Sequence, residues 1–286
     1  MSLPPFYSAA SARAAGLTRS QLRGSRFLRL AHDLTVRLDD AIDEHERLGL
    51  LATLLPADAA FSHATAAALL GAFIDAPQRP HVALTPRRVL PQHAALVIHG
   101  RRLGPADVVE HRGLCVTSGA QTFLDLAPLL PPWELVAVGD ALWRHEHLSP
   151  DRLAERLLRA DRVRGVVRAR DCAPLLSPKA MSRPESVMRY WLVQSPLPDP
   201  RPQIPVHDRW GREVTHADLG YDEWKVALEY EGRQHADVDQ FGRDIDRYSL
   251  MGADGWLVLR FAKRHLAPTT IVGRTRRALL NRGWRP

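Results

Sequence analysis

Three acidic residues near the C-terminal end of the chain have the types and spacing of a metal site. Residues 226 to 231 read Val-Ala-Leu-Glu-Tyr-Glu, and this alternation predicts a half-buried strand with Glu229 and Glu231 on one face. The preceding run, residues 214 to 220, also reads as a strand, and a turn around Asp222 would close an antiparallel hairpin. In that hairpin Asp218 lies beside Glu229. The sequence therefore predicts three carboxylates at one sheet edge.

Like charges this close together are costly unless a cation or a proton lies between them. Mg²⁺ suits such a cluster, because it binds carboxylate oxygens and water and usually completes its shell with phosphate oxygens of a substrate. We therefore expect Mg²⁺, or Mn²⁺, at Asp218 and Glu229. The alternative is a solvated surface on which arginines such as Arg260 pair with the acids.

The residues around this hairpin resemble a known family. The segment contains, in order, Asp218, Glu229-Tyr230-Glu231-Gly232, Gln234-His235, Phe241, Asp244, Arg247 and the strand-like run from Gly255 to Phe261. From Pro184 to the C-terminus the chain resembles the very-short-patch-repair-like branch of the PD-(D/E)XK nuclease superfamily. The resemblance implies an α/β domain of the restriction-endonuclease-like type.

The same resemblance implies roles for individual residues. Asp218 and Glu229 would hold the metal, with Glu185 assisting from the preceding helix. One position departs from the family pattern, since Glu231 stands where Glu-x-Lys would place a lysine. Gln234 and His235 are then the nearest groups that could orient the attacking water.

These roles predict a metal-dependent endodeoxyribonuclease. The metal would polarise the scissile phosphate and lower the pKa of a bound water. His235 or Glu231 would accept the proton of that water. Arg260 would stabilise the charge that develops in the transition state, or would brace the acids.

The N-terminus has the outline of a winged helix-turn-helix. Ser8 to Ala15 predicts a short helix, Thr18 is placed to cap a second helix over residues 19 to 23, and the runs 26–30 and 34–38 predict a small hairpin. The segment resembles the N-terminal domain of AbiEi-type antitoxins, in which a winged helix binds DNA. The expected DNA contacts are Arg19, Gln21, Arg23 and Arg26. From pattern alone, a small helical docking domain is the alternative.

The middle of the chain reads as a scaffold of apolar helices and short strands, and it also resembles the antitoxin-like family. Ser62 and His63 have the types of a nucleophile and its base, but neighbouring residues at a helix start diverge in direction and no acid partner is evident. A Pro- and Ser-rich stretch at 174–184 predicts a domain boundary. We predict a winged helix-turn-helix at 1–45, an α+β antitoxin-like scaffold at 46–178 and a nuclease-like domain at 179–286.

Composition narrows the class of protein. The 286 residues carry 39 Lys and Arg against 32 Asp and Glu, a net charge of +7 in which arginine dominates, and guanidinium groups bind phosphate bidentately. Cys115 and Cys172 are far apart and do not have metal-ligand spacing. No run approaches the length of a membrane span. We expect a cytoplasmic protein whose partner is duplex DNA.

Two functions follow. The first is a DNA endonuclease that its winged helix positions on a duplex, with a homodimer if it makes symmetric double-strand breaks. The alternative is an AbiEi-like antitoxin or transcriptional regulator that binds DNA, has a toxin as its protein partner and carries an inactive nuclease fold. A toxin that acts on RNA is a third reading, and the sequence does not distinguish its substrate.

Overall fold

The computed structural model describes residues 6–24, 27–31, 34–37, 43–53, 55–89, 96–207, 210–232 and 247–286. The chain divides into two compact units, one formed by Met1–Leu69 with Asp75–Thr122 and the other by Leu70–Ile74 with Phe123–Pro286. This division falls inside the predicted middle region. The three regions proposed from the sequence stay a prediction.

Helices occur throughout the chain, and several begin at a side chain that accepts a hydrogen bond from the first turn. Ser8, Asp43, Ser149 and Ser182 cap helices in this way. Among the described residues, no helix combines the length and apolar composition that crossing a membrane requires. The helices are α1 (Ala9–Ala14), α2 (Glu44–Ala52), α3 (His63–Leu69), α4 (Gly119–Leu126), α5 (Pro132–Arg144), α6 (Pro150–Leu158), α7 (Val166–Cys172), α8 (Arg183–Val193), α9 (247–253) and α10 (Pro268–Asn281).

The strands of the described residues form three sheets. One is antiparallel, in the order β1-β3-β2, and the other two are mixed, in the orders β6-β5-β4-β8-β7 and β12-β11-β10-β9. The strands are β1 (Phe6–Tyr7), β2 (Phe27–Ala31), β3 (Leu34–Arg37), β4 (Ala60–Phe61), β5 (His81–Leu84), β6 (Val97–Gly100), β7 (Val108–His111), β8 (Leu114–Thr117), β9 (Arg201–His207), β10 (Glu213–Tyr221), β11 (Val226–Glu231) and β12 (Leu257–Ala262).

The winged helix-turn-helix is not confirmed. The hairpin of β2 and β3 forms, but the second helix is replaced by a single 3-10 turn at Gln21–Arg23. The side-chain oxygen of Gln21 accepts hydrogen bonds from the backbone and the hydroxyl of Thr18, at 2.7 and 2.9 Å, and the backbone is extended at Gly24. These bonds cap the start of a turn that ends at Gly24, and the described residues do not contain a recognition helix at this position.

The four-stranded sheet has helices on both faces. Met188 and Leu192 of α8 and Ile271 and Leu279 of α10 belong to a core cluster that includes Leu228 of β11. A second cluster packs α9 against the same sheet, with these buried members: Ile204, Val206, Ala217, Ala227, Met251 and Trp256. The mixed α/β architecture predicted from the sequence is therefore confirmed, while the restriction-endonuclease-like fold is not confirmed.

A buried ion pair joins α5 to α8. The Nη2 atom of Arg189 donates to both carboxylate oxygens of Asp140, at 3.1 and 2.8 Å. Asp140 is fully buried, Arg189 is 8% exposed, and the backbone N–H of Ser177 also donates to Asp140, at 2.7 Å. The pair therefore satisfies two charges in a place that water does not reach.

We predict that Asp140→Ala lowers the free energy of unfolding by about 3–5 kcal/mol, because it leaves the guanidinium group of Arg189 buried without its counter-charge. Urea unfolding followed by circular dichroism measures the change. Asp161→Ala, which removes a carboxylate that is 93% exposed, is the matched control and should stay within about 0.5 kcal/mol of wild type. A loss below about 1 kcal/mol in Asp140→Ala would contradict the importance of this pair.

Candidate functional site

The hairpin of β10 and β11 brings Asp218 and Glu229 together. The two strands pair antiparallel with Leu219 opposite Leu228, so the preceding Asp218 and the following Glu229 are neighbours across the hairpin. The carboxylate of Asp218 accepts a hydrogen bond from the backbone N–H of Tyr230 at 2.7 Å. Asp218 is half-buried and Glu229 is 4% exposed. Both acids are thus largely shielded from solvent.

Glu185 joins this pair from the first turn of α8. Its carboxylate accepts hydrogen bonds from the hydroxyl of Ser182, the backbone N–H of Met181 and the side-chain amide of Gln203, at 2.7, 2.9 and 3.1 Å. Burial raises the pKa of Glu185, and the nearby charge of Asp218 raises that pKa further. The structure therefore gathers Glu185, Asp218 and Glu229, and their roles as metal ligands stay predictions.

Glu229 is the most strongly perturbed acid of the group. Burial, followed by repulsion from Asp218, raises the pKa of Glu229 from 4.5 to about 7, although Arg247 opposes the change. The Nη2 atom of Arg247 donates to one carboxylate oxygen at 2.5 Å. The other oxygen, Oε1, is buried and has no hydrogen-bond partner among the described residues. Arg247 thus neutralises a carboxylate that water does not stabilise.

Glu231 belongs to a second, more exposed ion pair. Arg260 pairs with its carboxylate, and the hydroxyl of Tyr248 donates to the same oxygen at 3.2 Å. The guanidinium carbons of Arg247 and Arg260 lie 4.9 and 4.4 Å from the centre of the Tyr248 ring. Cations at this distance are attracted to the face of an aromatic ring. Arg260 therefore forms an ion pair with Glu231, and the two roles predicted for it stay predictions.

Two arginines thus supply the positive charge that the sequence analysis assigned to a metal ion. Arg247 was noted from the sequence as part of the family pattern, but its contact with Glu229 and the stacking of Tyr248 were not foreseen. Binding of Mg²⁺ or Mn²⁺ by Asp218 and Glu229 stays a prediction. Gln234 and His235 lie outside the described residues, and their proposed roles stay predictions as well.

The predicted DNA-contacting residues at the N-terminus are solvent-accessible where they are described. Arg19, Gln21 and Arg23 are exposed in and beside the 3-10 turn, and Arg26 lies outside the described residues. Because no described residues form a recognition helix there, the groove contact proposed for these side chains stays a prediction. Their exposure leaves them available to phosphates.

A basic surface at the C-terminus was missed by sequence reasoning. Residues 263–286 contain seven lysines and arginines and not one aspartate or glutamate. The apolar stripe of α10, which includes Ile271 and Leu279, faces the core, and this orientation turns the arginines outward. All seven are exposed: Lys263, Arg264, Arg274, Arg276, Arg277, Arg282 and Arg285. The absence of acids in this stretch is a signal that the composition alone provides.

Comparison with known proteins finds a family match for the middle of the chain. Residues 58–175 match the family model of the AbiEi antitoxin C-terminal domain. This match confirms the AbiEi-like part of the resemblance found in the sequence. It does not cover the acidic hairpin, and the resemblance to the PD-(D/E)XK nucleases is not shown.

Two relatives that cover about three quarters of the chain are described as uncharacterized. MT2308 and Rv2248, two proteins of Mycobacterium tuberculosis described as uncharacterized, are each 28% identical over 223 residues, which cover 77% of this chain and 81% of the relative. The crystal structure of the RV2827C protein from the same species is similar over 74% of this chain and 82% of that chain, with 18% identity and a TM-score of 0.44.

The expectation of a nuclease is wrong. The finding that overturns it is the match of residues 58–175 to an antitoxin family, which is not a nuclease family. The contacts of the acidic site fit this correction, because Arg247 and Arg260 pair with Glu229 and Glu231. The position at which nucleases of that superfamily carry a lysine holds instead a glutamate that an arginine neutralises.

We predict that the acidic site makes folding stability depend on pH. A carboxyl group whose pKa is raised by folding stabilises the folded state below its unfolded pKa, and this contribution is lost as the pH rises through the folded pKa. For Glu229, whose pKa rises from 4.5 to about 7, the free energy of unfolding should fall by up to about 3 kcal/mol between pH 4.5 and 8. Glu229→Gln should remove most of this fall.

Chemical denaturation at a series of pH values from 4.5 to 8 checks this prediction. Glu223→Gln, which alters an exposed glutamate in the turn of the same hairpin, is the matched control and should keep the wild-type dependence. If the free energy of unfolding depends on pH in the same way in wild type and in Glu229→Gln, the burial of Glu229 does not cause that dependence.

Proposed function

We propose that this chain is a DNA-binding antitoxin or transcriptional regulator that acts by occupying DNA. The observation that carries the proposal is the match of residues 58–175 to the AbiEi antitoxin C-terminal domain. Under this proposal the protein partner is a toxin, and the nucleic-acid partner is duplex DNA. The acidic site braces the four-stranded sheet and performs no reaction.

The charge of the chain supports DNA as a partner. The net charge is +7, and the exposed arginines include Arg19 and Arg23 as well as the basic segment at 263–286. A protein that neutralises phosphates with such side chains releases condensed counterions, which favours binding whatever the base sequence. Phosphate contacts of this kind position a protein on a duplex, and contacts to base edges then specify the site.

Helix α10 has the dimensions of a phosphate-contacting element. Its 14 residues span about 21 Å at 1.5 Å per residue. Arg274 and Arg277 are three residues apart, so they lie on the same side of the helix. Both are exposed, while Ile271 and Leu279 anchor the helix in the core. The helix is therefore held rigidly while its arginines face the solvent.

We predict that Arg274→Ala/Arg277→Ala and Arg19→Ala/Arg23→Ala each weaken duplex binding and flatten its salt dependence. Each phosphate contact adds about 0.9 to the slope of log affinity against log salt, so a double variant should lose up to about 2 from that slope. Fluorescence anisotropy with a labelled duplex, at several salt concentrations and with EDTA present, measures both quantities.

Arg87→Ala is the matched control for these variants. It removes an exposed arginine whose charge is already paired with Asp58 at 2.6 Å, so affinity and slope should stay at wild-type values. A loss in Arg87→Ala that is half of the loss in each double variant would mean that only net charge matters. Unchanged binding in both double variants would exclude these two surfaces as the DNA interface.

The antitoxin part of the proposal has its own test, which is co-expression with the protein encoded beside this chain in its genome. We expect that neighbour to inhibit growth when expressed alone, and we expect this chain to restore growth. Specific DNA binding without rescue of growth would leave the regulator as the function. The absence of both growth rescue and specific DNA binding would overturn the proposal.

A further inference from the structure

Three histidines that are distant in sequence meet beside the five-stranded sheet. His63 begins α3, His81 begins β5 and His99 lies on β6. Strands β5 and β6 pair in parallel with His99 opposite Ala83, so His81 and His99 lie two positions apart on one face of the sheet. The backbone N–H of Ser62 donates to the carbonyl of His81 at 2.9 Å, which holds the start of α3 against β5.

The three rings are close enough to share one ion. The centroid distances are 3.7 Å between His63 and His99, 5.0 Å between His81 and His99, and 5.5 Å between His63 and His81. One nitrogen of each ring lies within 4.8 Å of the other two. The Nε2 atom of His99 and the Nδ1 atom of His81 are 3.1 Å apart, close to the separation of two nitrogens bound to one zinc ion.

The rings are in the protonation state that a metal requires. Burial is the main cause that lowers the pKa of His63 to about 2, that of His99 to about 4, and that of His81 in the same direction. Neutral imidazole is the metal-binding form of histidine. The three imidazoles therefore need not lose a proton to the solvent before they bind a metal ion.

The backbone of His63 also has an unusual conformation. Its φ angle is +52°, a left-handed conformation that costs a residue with a side chain on the order of 1 kcal/mol or more. Its Nδ1 atom is 2.9 Å from the hydroxyl of Ser62, and both side chains are buried. A hydrogen bond at Nδ1 fixes the ring and directs the lone pair of Nε2, as the partners of metal-bound histidines commonly do. Strained residues of this kind concentrate at ligand sites.

We propose that His63, His81 and His99 form a binding site for a divalent transition metal, with Zn²⁺ as the preferred ion and Ser62 as the residue that orients His63. Three imidazole ligands leave a fourth position of the tetrahedron open to water or another ligand. Imidazole also suits Cu²⁺ and Ni²⁺, so geometry and supply select Zn²⁺. The ion would tie the start of α3 to β5 and β6.

Arg101 occupies the space next to this site. Its Nη2 atom is 3.2 Å from the Nε2 atom of His63, so the guanidinium group must turn aside when a cation binds. A positive charge at that distance opposes a second cation. Loss of the charge should therefore strengthen metal binding, whereas loss of a ligand or of Ser62 should weaken it. These opposite signs separate a metal site from a stack of histidines that only fills space.

The test uses the full chain purified without a polyhistidine tag, stripped with a chelator and dialysed against Zn²⁺. Elemental analysis should find one zinc per chain, and Co²⁺ should give the absorption of a tetrahedral complex. His81→Ala and His99→Ala should lose more affinity than the roughly 10–100-fold expected for Ser62→Ala, whose loss removes only a supporting residue. Arg101→Met should gain affinity, and His207→Ala, at an exposed histidine outside the cluster, should match wild type.

His81→Cys keeps the proposal testable where an alanine variant fails to fold. A thiolate is a strong ligand for Zn²⁺ and Co²⁺, so this variant should retain the ion and gain a sulfur-to-cobalt charge-transfer band that wild type lacks. That band would show residue 81 bound to the metal. No bound zinc in wild type, or equal zinc binding in wild type and His99→Ala, would overturn the proposal.

Discussion

The contact between Arg247 and Glu229 is the interaction on which the acidic site of the four-stranded sheet depends most. Glu185, Asp218 and Glu229 converge where β10 pairs with β11, the two inner strands of the four-stranded sheet, and burial raises the pKa of each. Without a positive charge in their midst, these carboxylates would repel one another in a place that water hardly reaches. Arg247 reduces this cost by donating to Glu229 at 2.5 Å. The acids and the arginine therefore act as one structural unit.

The proposed function rests on which charges are satisfied within the chain and which face the solvent. Most acids of the hairpin are engaged in hydrogen bonds or ion pairs, whereas the basic segment at 263–286 contains no acid to pair with its arginines. A surface of this kind binds polyanions. Together with the antitoxin-family match over residues 58–175, this arrangement is the basis for the proposal that the chain binds DNA.

Local sequence patterns correctly predicted elements in which the alternation of apolar and polar residues marks the buried and exposed faces. The alternation of residues 226–231 predicted β11, and the strand-like run of residues 214–220 predicted β10 to within one residue at either end. Sequence patterns did not predict how far the helix after Thr18 extends or which residues meet through contacts between distant parts of the chain. The predicted cap at Thr18 forms with Gln21, but the predicted helix is only a single 3-10 turn at Gln21–Arg23. His63, His81 and His99 meet through strand pairing, which spacing along the chain does not encode.

The central claim is that the chain binds duplex DNA specifically and leaves it intact. The most direct measurement is equilibrium binding of the wild-type chain to a duplex from the region upstream of its own gene and to a scrambled duplex of equal length, in EDTA and then in Mg²⁺, with the recovered DNA sized afterwards. The account predicts tighter binding to the upstream duplex in both buffers and full-length DNA throughout. Equal affinity for the two duplexes, or cleavage in Mg²⁺, would contradict it.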